Sequence, residues 1–410
     1  MTETCIIVGG SHAAAQLAPS LRQEGWAGRI IVVSDESSLP YHRPPLSKDF
    51  LQGSRDAQAL LIRPADFYTQ QGIEFKLNRR VTSIDRAAHT VTLNDGEQLN
   101  YTKLALCTGA RARQVALPGA DLDGVHYLRT LEDVAAIKRS VAPGRHAVII
   151  GGGYIGLETA SVLRKMEMEV TVLEMAPRVL ARVTTEELSA FYSRVHTEEG
   201  VVIKTGVSVA SLQGTDHVSA VCCEDGAELV ADLVVVGVGI LPNTELAEAA
   251  GLTVGNGIVV DEYCQSSDAD IVAVGDCSLH PNQFYDRQIR LESVPNATEQ
   301  AKSAAATLCG NAKPYHALPW FWSNQYDLML QIAGLSQGFD EVAIRGDTTS
   351  GRSFAAFYFQ QGRLIAADCV NRPQEFMQSR KIISEGTPVA RERLLDESIA
   401  PKQWLDDATQ

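Results

Sequence analysis

One pattern occurs twice in this chain and restricts what it can fold into more than any other feature. An apolar strand runs into a turn of small residues, a helical run follows, and a second apolar strand ends on an acid. The clearer copy starts at Val148-Ile-Ile and enters Gly151-x-Gly153-x-x-Gly156. Gly151 permits the tight turn, Gly153 lets a pyrophosphate approach the backbone, and Gly156 lets helix and strand pack closely, with the helix N-terminus toward the phosphates. The next strand, Val170-Thr-Val-Leu173, ends at Glu174, about twenty residues on, where an acid meets a ribose.

The other copy stands at the N-terminus. Cys5-Ile-Ile-Val leads into Gly9-x-Ser11-His12-Ala13-Ala14, with serine and alanine in place of the second and third glycines. Both are small, so a phosphate can still come close, in a degraded fingerprint. A helix is predicted over 13–25, and the strand Arg29–Ser34 ends at Asp35. Two βαβ nucleotide folds imply two dinucleotides, and the economical use of two in one protein is to pass electrons between them. Each fold also has an apolar strand ending in a glycine turn, one at Thr108-Gly109 and one at Gly239.

Between these landmarks lies Tyr41-His-Arg43-Pro44-Pro-Leu-Ser-Lys48. Two prolines stiffen it, and Arg43 and Lys48 suit an anion or a flavin; a rigid surface loop with solvated charges is the other reading. Asp95-Gly96 marks a hairpin turn and Thr130 a helix N-cap. Strands are expected over Ile258–Asp261 and Asp270–Asp276, the latter ending at Gly275-Asp276, with an Ala-rich helix over 296–308. From Pro319-Trp-Phe-Trp onward, strands are expected at 328–334, 341–345, 353–359 and 363–369, then a helical tail at 373–386.

Charge and cysteine usage exclude several classes. The net charge of -14 sets a field that repels nucleic acid and anionic membrane, and no basic block offsets it. The best apolar run, Leu229–Leu241, is short for a membrane span and contains Asp232. Met1-Thr-Glu-Thr lacks the basic start of a signal peptide, so a cytoplasmic location is expected. The 8 cysteines form no C-x-x-C or C-x4-C pair, and none lies between Cys5 and Cys107. No sulfur is placed to relay electrons, and no spacing suggests a metal site.

The two nucleotide folds, the Arg-Pro-Pro-Leu-Ser-Lys segment, the Gly-Asp strand end and the Pro-Trp-Phe-Trp run come in one order across nearly the whole chain. That order resembles the FAD-dependent ferredoxin, putidaredoxin and rubredoxin reductases of bacterial Rieske oxygenase and cytochrome P450 systems. The resemblance implies an α/β, glutathione-reductase-like fold of two Rossmann-type domains and a C-terminal α+β domain. FAD would take residues 1–110 and 240–318, NADH residues 111–239, and the C-terminal domain residues 319–410.

It also implies a set of ligands. Gly9, Ser11, His12, Ala13 and Ala14 would form the FAD phosphate turn, with Asp35 on the adenosine ribose and Val81 at the adenine end. Arg43, Pro44, Lys48, Thr108, Gly109, Arg129, Gly275 and Asp276 would complete the FAD set, with Val294 and Trp320 beside the flavin ring. Gly151, Gly153, Tyr154, Ile155, Gly156, Glu158, Glu174 and Gly239 would serve NADH, with Lys48 and Glu158 pairing near the reacting atoms. A carboxylate at Glu174 accepts from the ribose hydroxyls and repels the phosphate of NADPH, although Arg178 and Arg182 are near in sequence. Plain structural roles stand beside these: Asp276 as a helix cap, Trp320 as a core aromatic, Glu158 as a solvated helix residue, Lys48 as a surface lysine.

The implied activity moves electrons from NADH through FAD to a ferredoxin-type [2Fe-2S] protein, with rubredoxin as the alternative acceptor. The protein would be a monomer or weak homodimer, and Arg372, Arg380 and Lys381 are candidate docking residues. Two other classes stand against it. An NADH oxidase or diaphorase is disfavoured by the missing cysteine, and an interaction protein similar to apoptosis-inducing factor by the compact acidic chain.

Overall fold

The computed structural model describes residues 3–406. The chain forms two compact units, each gathered from separate stretches. The first takes the residues up to His42, Gln58–Arg111 and Ile240–Pro319; the second takes Arg43–Ala57, Ala112–Gly239 and the residues from Trp320 onward. The segment 43–57 thus groups with the second unit, not with the sequence around it.

In the first unit, five strands build a parallel sheet in the order Ile271–Ala273, Lys103–Leu106, Thr4–Val8, Arg29–Val33, Ile73–Lys76. Thr4–Val8 is buried along its whole length, as a parallel strand covered on both faces must be. One face packs the helices His12–Gln23 and Val294–Leu308, which meet through Ala14, Leu17, Ala301, Ala304 and Ala305; small side chains let the helices approach. The other face is covered by the antiparallel sheet Val81–Asp85, Thr90–Leu93, Gln98–Asn100. Its last turn is the predicted hairpin, with Gly96 at φ 87. The first helix stops at Gln23, two residues before Gly25 at φ 95.

The second unit repeats the plan. Its parallel sheet runs Val202–Thr205, Glu169–Glu174, His146–Ile150, Leu233–Val236, Val125–Tyr127. In both units the fingerprint strand lies between the strand that leads to the acid and the strand that leads to the glycine turn. Gly206 at φ 68 separates two further strands, Val202–Thr205 and Val209–Gly214. Thr130 caps its helix as expected, accepting the Asp133 N–H at 3.2 Å while Asp133 accepts the Thr130 N–H at 2.8 Å.

The residues from Trp320 form a five-stranded antiparallel sheet in the order Trp320–Gln325, Leu328–Gly334, Arg363–Val370, Ser353–Gln360, Glu341–Asp347. The helix Pro373–Glu385 packs on it. Trp320–Gln325 is a strand that the sequence pattern did not single out. The helix Tyr154–Lys165 packs against both this strand and the short turn Pro44–Ser47, so three distant stretches meet along one helix.

Candidate functional site

In the first unit the small-residue turn is enforced by backbone crowding. Gly9 sits at φ +110, and a Cβ there would lie 2.1 Å from the Cys107 carbonyl oxygen. Its N–H donates to the Val33 carbonyl at 2.8 Å. The turn hands the chain to Ser11 in an extended conformation, after which His12, Ala13 and Ala14 open the helix. The first N–H groups of a helix lack intrahelical partners and suit an anion. Gly275, at φ +82, lies where its Cβ would be 3.6 Å from the Cβ atoms of both Ala13 and Ala297, so the Gly275-Asp276 turn faces the start of that helix.

Other residues named for this site are distributed around it. Thr108 and Asn243 clasp each other: the Thr108 hydroxyl donates to the Asn243 carbonyl at 2.7 Å, and the Asn243 amide donates to the Thr108 carbonyl at 2.8 Å. Gly109, at φ 62, accepts the Asn243 N–H at 2.9 Å. Asp35 is exposed and pairs with Arg80 at 3.2 Å, which brings it to the neighbour of Val81. Val294 begins its helix behind the Ser293 N-cap.

Sequence reading missed what holds the Gly275-Asp276 turn. The buried Gln300 Oε1 accepts the Gly275 N–H at 2.7 Å and the Ser278 hydroxyl at 3.0 Å, and its Nε2 lies 3.0 Å from His280 Nδ1. A glutamine in an Ala-rich helix carries no signal of this by itself.

In the second unit the three glycines divide the work. A Cβ on Gly151 (φ +112) would lie 2.4 Å from the Gly237 oxygen, and one on Gly156 would lie 2.1 Å from the Gly151 oxygen. Gly153, by contrast, has nothing within 4 Å of its Cβ position. Open space beside a helix N-terminus of this kind suits an anion. Glu174 closes the motif: its two oxygens accept the Gly152 N–H at 2.7 Å and the Ala176 N–H at 2.8 Å. Each oxygen keeps a further lone pair for a sugar hydroxyl. Arg178 is spent internally on Thr185, Ala181 and Ser189, whereas Arg182 is exposed. Gly239, at φ +101, accepts the Arg113 N–H at 3.0 Å. Ile155, 45% exposed, offers an apolar surface beside the turn.

About one turn further along that helix the chemistry concentrates on Glu158. It is 2% exposed, and it is no solvated helix residue. Oε2 accepts Lys48 Nζ at 2.5 Å and the Ser47 hydroxyl at 2.6 Å; Oε1 accepts the Ser323 hydroxyl at 2.6 Å. Lys48 also reaches the Pro44 carbonyl at 3.2 Å, and its side chain is 17% exposed, so it is no free surface lysine. Extra donors are what a buried ion pair needs to offset desolvation. Ser47 and Ser323 were missed by the sequence reading; only the adjacency of Ser47 to Lys48 hinted at either.

Arg43 donates to the Arg129 carbonyl at 2.6 Å, tying the two predicted ligands together. Trp320 packs with Trp322 and Phe376, ring centroids 5.4 and 5.8 Å apart, under the Arg380 guanidinium at 5.1 Å. Arg372, read as a docking candidate, is held by Ser353, Glu375 and Glu397. Lys381 is exposed.

All eight cysteines are unpaired, and six are buried. Burial pushes the Cys5, Cys107, Cys264, Cys277 and Cys369 thiols up, away from the reactive thiolate. Among the described residues no cluster of His, Cys, Asp and Glu suits a metal, and no helix is long and apolar enough to cross a membrane.

Comparison with known proteins agrees with this arrangement. The family model described as pyridine nucleotide-disulphide oxidoreductase matches residues 3–301, and one described as reductase C-terminal matches residues 320–405. The chain is 46% identical to putidaredoxin reductase of Pseudomonas putida, over 98% of this chain and 97% of that protein. It is 40% identical to rubredoxin-NAD(+) reductase of Pseudomonas putida, over 90% and 96%. The crystal structure of a covalent putidaredoxin reductase–putidaredoxin complex superposes with a TM-score of 0.96 at 45% identity, covering 99% of both chains.

Proposed function

This chain belongs to the pyridine nucleotide-disulphide oxidoreductase family, in its branch of ferredoxin, putidaredoxin and rubredoxin reductases, and from that membership we propose that it carries electrons from NADH through FAD to a ferredoxin-type [2Fe-2S] protein serving an oxygenase. It is an oxidoreductase that uses a flavin and a pyridine nucleotide. That the flavin is FAD and the nucleotide NADH is the finer part of the proposal. One observation carries it: two small-residue turns, each on its own parallel sheet with an acid after the next strand, in a chain whose cysteines are all unpaired. With no disulfide to reduce, the electrons have to leave for an outside acceptor. The unpaired thiols also favour a reducing, cytoplasmic location.

We assign FAD to residues 1–110 and 240–318, of which 43–57 pack with the second unit, and NADH to residues 111–239, with the C-terminal domain at 319–410. The Gly9 turn and its helix N-terminus would hold the FAD pyrophosphate, with Asp35 on the ribose and Asp276, set by Gln300, toward the rest of the cofactor. The Gly151 turn would hold the NADH pyrophosphate and Glu174 the adenosine ribose. When bound, the flavin accepts a hydride and releases electrons singly. No protein base is needed for that exchange, so the work of the residues is placement and charge. Glu158, held by the Ser47 and Ser323 hydroxyls, keeps Lys48 in one position. Lys48 would supply a fixed positive charge that need not reorganise during the reduction.

The test is anaerobic titration of the purified protein with NADH, followed by candidate ferredoxins. Bleaching of the flavin absorbance by one equivalent of NADH, and its return on adding oxidised ferredoxin, is the expected result. A protein that binds no FAD overturns the reading.

A further inference from the structure

Glu158 ends a longer run of hydrogen bonds than its ion pair requires. The Ser323 oxygen that donates to Glu158 also accepts Gln325 Nε2 at 3.2 Å. Gln325 Oε1 lies 2.8 Å from His196 Nε2, and His196 Nδ1 lies 3.2 Å from the Tyr326 hydroxyl. Ser323, Gln325 and His196 are buried. Ser323 and Gln325 are two apart on one strand, so they share a face. Tyr326 follows in the turn at φ 53, a conformation that bulky residues rarely adopt, with its ring edge-on to His196 at 5.0 Å.

The Lys48–Glu158 ion pair sets the direction of the whole run. Ser323 has to give its proton to Glu158, because a carboxylate oxygen 2.6 Å away offers only lone pairs. The Ser323 oxygen then accepts, and only the amide nitrogen of Gln325 can donate to it. This orientation turns the Gln325 carbonyl to His196, which therefore carries its proton on Nε2 and accepts from Tyr326 at Nδ1. Reversing the amide would take the Ser323 proton away from Glu158. Burial, which lowers the His196 pKa to about 4, agrees with a neutral ring.

We propose that Gln325, locked by His196, is a positioning residue for the Glu158–Lys48 pair: it fixes the Ser323 hydroxyl as a donor and so keeps the carboxylate aimed at Lys48. The inference rests on the reading of that pair as part of the nucleotide-dependent reduction. Gln325→Glu keeps the shape but replaces the N–H with a second acceptor, which competes with Glu158 for the Ser323 proton.

The experiment uses the flavin-loaded protein. ¹⁵N-histidine NMR at neutral pH is expected to show His196 as the Nε2–H tautomer; the Nδ1–H tautomer or an imidazolium overturns the proposal. Anaerobic stopped-flow with NADH is expected to show limiting reduction rates for Gln325→Glu and Ser323→Ala down by about tenfold, the worth of one hydrogen bond to a charged group, with the dissociation constant for NADH moving by less than about threefold. Wild-type limiting rates in both variants, or losses confined to binding, overturn it. If Gln325→Glu does not fold, Ser323→Ala and the wild-type tautomer decide. A wild-type protein that NADH does not reduce sinks the functional reading, while the tautomer still tests the hydrogen-bond direction.

Discussion

Lys48 Nζ lies 2.5 Å from the Glu158 carboxylate, across 110 positions of sequence, and the pair sits almost wholly out of water. Removing one partner leaves a buried charge with no counterion. Lys48→Met is expected to cost about 3 kcal/mol, the low end for a broken buried pair because Ser47 and Ser323 still serve the carboxylate. Replacing both, Lys48→Met with Glu158→Leu, should restore most of that stability and still lose rapid flavin reduction. Urea unfolding measures the first effect and stopped-flow the second. A single variant as stable as the parent would show that the pair is not held as described.

The three glycines of the second fingerprint should behave differently. Ala at 151 or 156 drives a Cβ to within 2.4 or 2.1 Å of a backbone oxygen, and should destabilise the unit by on the order of 2 kcal/mol or more. Ala at 153 meets nothing, so stability should hold to within about 0.5 kcal/mol while the KM for NADH rises. Equal thermal shifts for all three variants would contradict the division.

These glycines also mark how far the sequence could be read. Local signals, such as strand, turn, helix and terminal acid, show at short range, and so did Thr130 as a cap and Asp95-Gly96 as a turn. Glu158 and Lys48 could be named through resemblance. Ser47, Ser323 and Gln300 could not, because their partners lie 111, 165 and 25 residues away, and a serine in a strand or a glutamine in a helix has no pattern that points to one. Trp320–Gln325 was missed as a strand for a related reason. Its aromatic start lacks polar alternation, and its pairing with Leu328–Gly334 is a tertiary fact. Arg372 looked available for a partner because Glu397 and Ser353, which hold it together with the nearby Glu375, are distant in sequence.

Glu174 should decide between the two nucleotides. Its carboxylate already accepts two backbone N–H groups, which fixes it at the strand end. Glu174→Gln turns one acceptor into a donor facing an N–H. The loss in kcat/KM for NADH should therefore be about 10- to 100-fold, more than a lost ribose contact alone. The ratio of NADH to NADPH efficiency in the parent protein is expected to favour NADH; a clear NADPH preference would remove the ribose assignment.

Lys381 and Arg372 should separate docking from stability. Lys381 is exposed, so Lys381→Glu should slow ferredoxin reduction by about threefold to tenfold at low salt and leave NADH-to-ferricyanide turnover alone. Arg372 bridges Glu375 and Glu397. Arg372→Glu should lower the unfolding midpoint and reduce both activities together. Equal losses in both assays for Lys381→Glu would exclude it from the docking surface.

Asp368 and two histidines make opposite contributions to stability against pH. Burial raises Asp368 from 3.8 to about 6, with the Tyr358 hydroxyl donating to it at 2.7 Å and that of Thr184 at 3.0 Å. The folded protein therefore holds this proton more tightly than the unfolded chain. The cost of ionising it is absent below about pH 4, grows as pH rises, and is complete above about pH 6, at roughly 3 kcal/mol. Burial lowers His196 and His280 from 6.5 to about 4, and the stability they contribute is present above about pH 6.5 and lost as pH falls toward 4. Between those limits the unfolded chain gains two protons at the histidines and the folded protein gains one at Asp368. Stability from these three groups should rise with pH by about 1.4 kcal/mol per unit. Asp368→Asn removes the opposing group and should roughly double that slope. Urea midpoints taken at half-unit steps across the window measure it, and an unchanged slope would mean that Asp368 titrates in the folded protein as it does in the unfolded chain.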